Sequence, residues 1–166
     1  AATHAFSVVN DEHPSDDLDE LFGCGLVLAG ANAVMSGVQV HARFGDGFLS
    51  GEEAAMLQLG ETELVVLSAC RTGFGGAVVG EGVFGLHRAF AAAGARCVVT
   101  SLWKIPDAQT KELMVAFYEE LSRGASRVQA LQKAKLQMRE RYGHPFFWGS
   151  FQCHGDWRPL YNIALS

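Results

Sequence analysis

No apolar run in this chain of 166 residues comes near the roughly 20 needed to cross a bilayer, and its first residues lack the basic, apolar, small-residue order of a secretory leader. Membrane is therefore not an expected partner. Lys and Arg are few, 13 against 18 Asp and Glu, and are scattered. The net charge of -5 gives no basic footprint, so direct nucleic-acid binding is not expected. Cysteine is sparse: Cys24, Cys70, Cys97 and Cys153 form no C-x-x-C pair and are too dilute for a disulfide scaffold, which points to a reducing, cytoplasmic setting. The histidines and cysteines also lack zinc-ligand spacing, so no metal is expected. Charged residues reach only 19% against 49% apolar, which excludes global disorder. A chain of this length suits one domain that buries about 70% of its unfolded surface.

Against these absences stands the stretch 64–73, an apolar and β-branched run that delivers Cys70 into a glycine-containing turn. Six of the seven residues from Leu64 to Cys70 are apolar. Such a run suits a strand covered on both faces, as in a parallel α/β sheet. Ligands in those sheets sit beyond the carboxyl ends of the strands, where Cys70 falls. A free cysteine is often simply buried. A thiol nucleophile, however, needs a general base and acid, and His4, read as lying where a second strand ends, offers one.

The rest of the chain reads as alternating short strands and helices. Residues 10–19 are a polar, acidic loop; Cys24 to Gly30 is a short strand; and Gly45-Asp-Gly47 is a turn before another. Ser50 and Glu53 make a capping box for a helix ending near Gly60. The glycine-rich run 73–80 after Cys70 is either a plain connector or a loop that closes over an extended substrate. A helix over 82–93 stopped by Gly94 and a strand over 96–102 complete a β-α-β unit. Asp107 is read as the cap of a helix to Ser122, with Leu113, Met114, Phe117, Tyr118 and Leu121 on its inner face. Ser126 and Gln129 box the start of a helix to Tyr142, with Val128, Leu131, Ala134 and Met138 inward. Phe146, Phe147, Trp148 and Phe151 are read as core, leading into a last strand over 147–153.

Three familiar chemistries fail on spacing. Gly80-x-Gly82-x-x-Gly85 has the letters of the dinucleotide fingerprint, but it lies eleven residues beyond Ala69 (80 - 69) instead of in the turn directly after the strand, and no cofactor is expected. A cysteine phosphatase needs Arg six positions after the thiol, where Gly76 stands. No G-x-S-x-G elbow supplies a serine nucleophile. Arg71, next to the thiol, either stabilises the thiolate or points into solvent.

The ordered series Ala2-Thr-His4, Leu67-Ser-Ala-Cys70-x-Thr-Gly73, Gly80-Glu-Gly82, Ala93-Gly-Ala95, Ser101-Leu-Trp103 and His144-Pro-Phe-Phe-Trp148 resembles the CHAT domain, which belongs with the caspases and separases. The resemblance runs from Ala2 to about Asp156. It implies an α/β fold, the caspase-like three-layer sandwich with a mostly parallel central sheet flanked by helices. It further implies a cysteine endopeptidase acting on protein substrates. Cys70 would attack the peptide carbonyl, His4 would protonate the leaving amine, and the backbone N–H groups of Ala5 and Cys70 would form the oxyanion hole. The family usually has Gly where Ala5 stands and an acidic residue where Arg71 stands. The alternative is a catalytically silent CHAT-type domain kept for protein interaction.

In the family the histidine follows an internal strand with further strands before it. Residues 1–166 are thus expected to be the C-terminal part of a single domain, incomplete at its N-terminus. The upstream part would come in cis or as a separate chain. A tetratricopeptide-repeat module, often found before such domains, is the other expected partner. Of the four thiols, only Cys70 is expected to react, because the others lie in apolar segments without a paired histidine.

Overall fold

The computed structural model describes residues 4–7, 24–28, 31–37, 46–68 and 81–161. They form a mixed α/β fold in two compact units: Ala1–Leu59 with Ala69–Gly94, and Gly60–Ser68 with Ala95–Ser166.

In the first unit, strands β1 (His4–Ser7), β2 (Cys24–Val27) and β3 (Phe48–Ser50) form an antiparallel sheet in that order. His4 opposes Val27, and Leu26 opposes both Ala5 and Leu49. Helix α1 (Ala31–Met35) follows β2, and α2 (Gly51–Ala55) follows β3. The expected turn before β3 is present: Asp46 Oδ1 accepts the Phe48 N–H at 2.9 Å, and Gly47 holds φ at +79°. The capping box is also present. Glu53 N–H donates to Ser50 Oγ at 3.1 Å, and Ser50 N–H donates to Glu53 Oε2 at 2.9 Å. The helix stops five residues short of Gly60, because the chain turns at Met56 and Leu57 so that Leu59 N–H can donate to Ala93 O at 2.8 Å. Helix α3 (Glu81–Ala92) packs on α2, β1 and β2, burying Leu86, Ala89 and Phe90. Gly82 and Gly85 fall inside α3.

The second unit carries the larger apolar cluster. Strand β4 (Val65–Leu67) pairs in parallel with β5 (Cys97–Ser101), and β6 (Phe151–Gly155) pairs antiparallel on the far side of β5. The parallel pair has α3 between its strands in sequence, the crossover that such pairing requires. Among the described residues it is the one parallel pairing, so one sheet is antiparallel and the other mixed where a mostly parallel sheet was expected. Helices α4 (Asp107–Ser122) and α5 (Arg127–Tyr142) pack side by side. Their inner residues Leu113, Phe117, Leu121, Ala130, Leu131, Ala134 and Met138 cluster with Cys97, Val99 and Phe151.

Five expectations need correction here. Pro106, not Asp107, occupies the N-cap of α4, and no side chain caps it. Tyr118 and Val128 face outward, 50% and 44% exposed. Each lies about 100° around its helix from Phe117 and Arg127 respectively, which point inward and fix the buried stripe. Phe146 is exposed as well, because Pro145–Phe147 is a short 3-10 turn, η1, and the last strand begins only at Phe151. The Ser126 and Gln129 capping box is present as expected.

A buried guanidinium ties the second unit together. Arg127, the first residue of α5, is fully buried and pairs with Glu63, just ahead of β4. Its Nη1 lies 3.6 Å from Asp156 Oδ2, just after β6, and donates to Arg158 O at 2.8 Å. Arg96, just ahead of β5, also reaches Glu63, at 3.3 Å. Between the helices, the half-exposed Lys133 donates to the buried Glu120 at 2.6 Å, and Arg123 does so from the other side. First the Lys133 and then the Arg123 hydrogen bond holds the Glu120 carboxyl below its ordinary value.

Removing Arg127 leaves two carboxylates around an unfilled site, so Arg127→Met should destabilise this unit by roughly 3 kcal/mol. Trp103, Trp148 and Trp157 all belong to this unit, so tryptophan fluorescence during urea unfolding of the intact protein reads it selectively. An unchanged midpoint would show that the buried pair does not anchor the unit. The Asp156 carboxyl, hydrogen-bonded first by Arg158, is lowered from 3.8 to about 2. A lowered carboxylate stabilises the fold above its unfolded value and loses that contribution as the pH falls through the folded one. Stability should therefore decline from about pH 4 to about pH 2, and Asp156→Asn should flatten that limb, less so in high salt.

Candidate functional site

The apolar run around Cys70 forms β4 as its β-branched residues dictate, and the strand ends at Leu67, opposite Thr100 of β5. Two residues of chain, Ser68 and Ala69, separate Leu67 from Cys70. Cys70, Arg71 and the glycine-rich run 73–80 lie outside the described residues, as do the side chains of His4 and Ala5. The backbone of both is described: His4 opens β1 instead of ending a strand, and Ala5 follows it within the sheet. The His4 and Cys70 pairing therefore rests on the sequence pattern.

What is described is the carboxyl end of the parallel pair. Thr100 and Ser101, the last residues of β5, are buried. Ser101 Oγ donates to Trp103 O at 2.8 Å, and Leu102 N–H donates to Ser150 O at 2.8 Å. Trp103 Nε1 donates to Phe146 O at 2.9 Å, while its ring lies against Gly149. A Cβ at Gly149 would meet Pro145 O at 2.9 Å and the Trp103 ring at 3.3 Å, so only glycine lets the indole lie so close. The Ser101-Leu-Trp103 and His144 to Trp148 motifs, 40 residues apart in the chain (144 - 104 = 40 from the residue after Trp103), thus meet at one edge. His144 Nδ1 accepts the Phe146 N–H at 3.2 Å and so shapes the turn that presents this carbonyl. Ser150 Oγ, fully buried, has no hydrogen-bond partner among the described residues.

The opposite end of the same sheet holds Glu63, Arg96, Arg127 and Asp156. Sequence reasoning passed over Arg127 because it sits directly after a cap, in a stripe judged by apolar residues alone. The signal was present: counting back three and four residues from Ala130 and Leu131 reaches Arg127 on the inward face. Tyr161 adds a lid of charge and ring, with the Arg96 and Arg158 guanidinium groups 5.3 and 5.4 Å from its centroid.

Cys153 is partly exposed, and the hydrogen bond with Cys97 and the nearby Arg127 and Lys135 charges ease its ionisation. Cys97, fully buried, is pushed the other way by the same hydrogen bond and by burial. Among the described residues no three His, Cys, Asp or Glu side chains are grouped to hold a metal, and no helix is long and apolar enough to cross a membrane.

Comparison with known proteins gives a family and two relatives. The CHAT domain family matches residues 1–156. The chain is 38% identical over 110 residues to tetratricopeptide repeat protein 28 of Homo sapiens, covering 65% of this chain and 4% of that protein. It is likewise 38% identical over 96 residues to tetratricopeptide repeat protein 28 of Mus musculus, covering 57% of this chain and 4% of that protein. The chain thus spans a small fraction of the length of the relatives it matches. With the family match extending over nearly all its residues, the chain belongs to the CHAT domain family.

Proposed function

We propose that this domain is a caspase-like cysteine endopeptidase that cleaves protein substrates through Cys70 and His4, built as a caspase-like three-layer sandwich. The observation that carries this reading is the family match over residues 1–156, which takes in His4, Cys70 and both motifs that meet at Trp103. In the proposed reaction His4 receives the Cys70 proton and the Cys70 sulfur attacks the peptide carbonyl carbon. The oxyanion is held by the backbone N–H groups of Ala5 and Cys70, and the collapsing intermediate takes a proton from His4 as the amine leaves. Water then hydrolyses the thioester. Alanine in place of the family's usual glycine is compatible with this, since Ala5 lies in extended strand backbone that any residue adopts.

A second reading has its own support. Both relatives are named for tetratricopeptide repeats, and a domain that recognises such a module or a partner protein without cleaving it fits that setting. A tetratricopeptide-repeat module elsewhere in the protein is the proposed partner under either reading.

The test is cleavage of a protein or peptide-library substrate by the intact protein. Cys70→Ala and His4→Ala should each lower the rate by several orders of magnitude, and the double variant should be little worse than either. Unreduced cleavage by Cys70→Ala would remove the nucleophile from this role. Absence of cleavage by the unsubstituted protein, together with retained binding to the repeat module, would favour the interaction reading.

A further inference from the structure

Cys97 and Cys153 lie on one face of neighbouring antiparallel strands. Cys153 pairs with Val99, two residues along β5 from Cys97, so the two are diagonal neighbours. Their sulfurs are 3.2 Å apart as thiols. The position opposite Cys97 is Gly155, which carries no side chain, so the space beside Cys97 is open to the sulfur of Cys153. Glycine is required there, because φ is +96° and a Cβ would run into the Arg96 carbonyl. The two thiols are also unequal. Cys97 is fully buried in the apolar cluster, whereas Cys153 at its margin is partly exposed. Arg127 and Lys135 face Cys153 with positive charge, and Asp156 opposes them.

We propose that Cys97 and Cys153 form a redox-active dithiol, a reversible modification site at which Cys153 reacts with a hydroperoxide and Cys97 converts the product to an intrachain disulfide. This rests on the strand register and the sulfur contact, and is independent of the role given to Cys70. In the first step the Cys153 thiolate attacks the terminal peroxide oxygen; the O–O bond breaks, Cys153 becomes a sulfenic acid, and the departing hydroxide is protonated to water when the peroxide is hydrogen peroxide. In the second, the Cys97 sulfur attacks Cys153 Sγ. The S–S bond forms, the S–O bond breaks, and hydroxide leaves with the Cys97 proton as water. Two thiols and one hydrogen peroxide thus give one disulfide and two waters. Accessibility and thiolate character favour Cys153 as the first to react, and a neighbouring thiol is what lets a sulfenic acid resolve before further oxidation. Bridging diagonal positions requires a small shift between the strands, and β6 lies at one end of the order β4-β5-β6 among the described residues.

The test treats the intact, reduced protein with hydrogen peroxide, blocks remaining thiols with N-ethylmaleimide, and maps the digest by mass spectrometry without reduction. The expected result is one linked peptide joining Cys97 to Cys153, two hydrogens lighter than the separate peptides and released by dithiothreitol. Cys153→Ser should abolish it. Before oxidation, native Cys153 should alkylate at least about tenfold faster than Cys97. Because substitution of the buried Cys97 can disturb folding, a second measurement uses the unsubstituted protein: phenylarsine oxide, which binds two adjacent thiols at once, should protect Cys97 and Cys153 together. Oxidation of Cys153 to a sulfinic acid with Cys97 still alkylatable after unfolding would overturn the proposal. So would linkage of Cys153 to Cys24 or Cys70, or arsenical protection of neither thiol.

Discussion

The second unit depends on one buried cation. Arg127 enters the fold where a helix meets a sheet, and its planar fork satisfies groups that arrive from three directions at once: Glu63 ahead of β4, the Arg158 carbonyl, and Asp156 after β6. A lysine carries the same charge but presents no such fork, so it could not serve all three in fixed directions. Isolating a charge away from water is unfavourable unless it is paired and hydrogen-bonded, and that requirement makes the arrangement specific. If the strands shifted register, the carboxylates would leave the guanidinium behind. The register of the short strands is thereby fixed by electrostatics at one end as much as by apolar contact along the face.

Fixing one end also sets the geometry of the other. Because β4 and β5 run in parallel, anchoring Glu63 and Arg96 at their starts sets where Leu67 and Ser101 stop. From Leu67 the chain goes on to Cys70; from Ser101 it goes on to the indole of Trp103, which is clamped by the Phe146 carbonyl and seated against Gly149. Fixed elements beneath loops are the usual way a domain positions reactive groups. Here the separation is plain in residue type, with ion pairs at one edge and an apolar ring with backbone hydrogen bonds at the other.

Much of this was legible in the sequence where the determinants are local. The capping boxes at Ser50 and Ser126 act over three residues, and both helices begin where those side chains place them. The β4 and β5 strands followed from β-branched runs. What the sequence hid was non-local. Val128 and Tyr118 carry apolar surface at nearly helical spacing, yet the inward direction of each helix was decided by Arg127 and Phe117, and one is a charged residue that a hydrophobic count ignores. The start of β6 was misjudged because η1 absorbs two aromatic residues that look like strand, Phe146 and Phe147. That displacement also concealed which residues of β5 face Cys153, since a cross-strand neighbour is known only once the register is. Trp103 and its partners are placed by structure, whereas the proposed Cys70 and His4 pair is carried by the sequence pattern and the family.

The two neighbouring thiols sit on strands that run from the anchored end to the Trp103 end. Cys97 opens β5 beside Arg96, and Cys153 sits midway along β6, between Asp156 at the anchored end and Phe151 at the other. Two residues from Cys153, Phe151 pairs with Ser101; one further, the Ser150 carbonyl accepts the Leu102 N–H. A covalent bond between Cys97 and Cys153 would therefore act on a strand held by a buried ion pair at one end and continuous with the Trp103 turn at the other. The anchored end can yield little without uncovering Arg127. Any movement of β6 toward β5 would consequently appear at Ser150 and Gly149, against which the indole ring is seated. Strand β6 would thus carry the effect of a Cys97–Cys153 bond to the Trp103 turn through backbone hydrogen bonds.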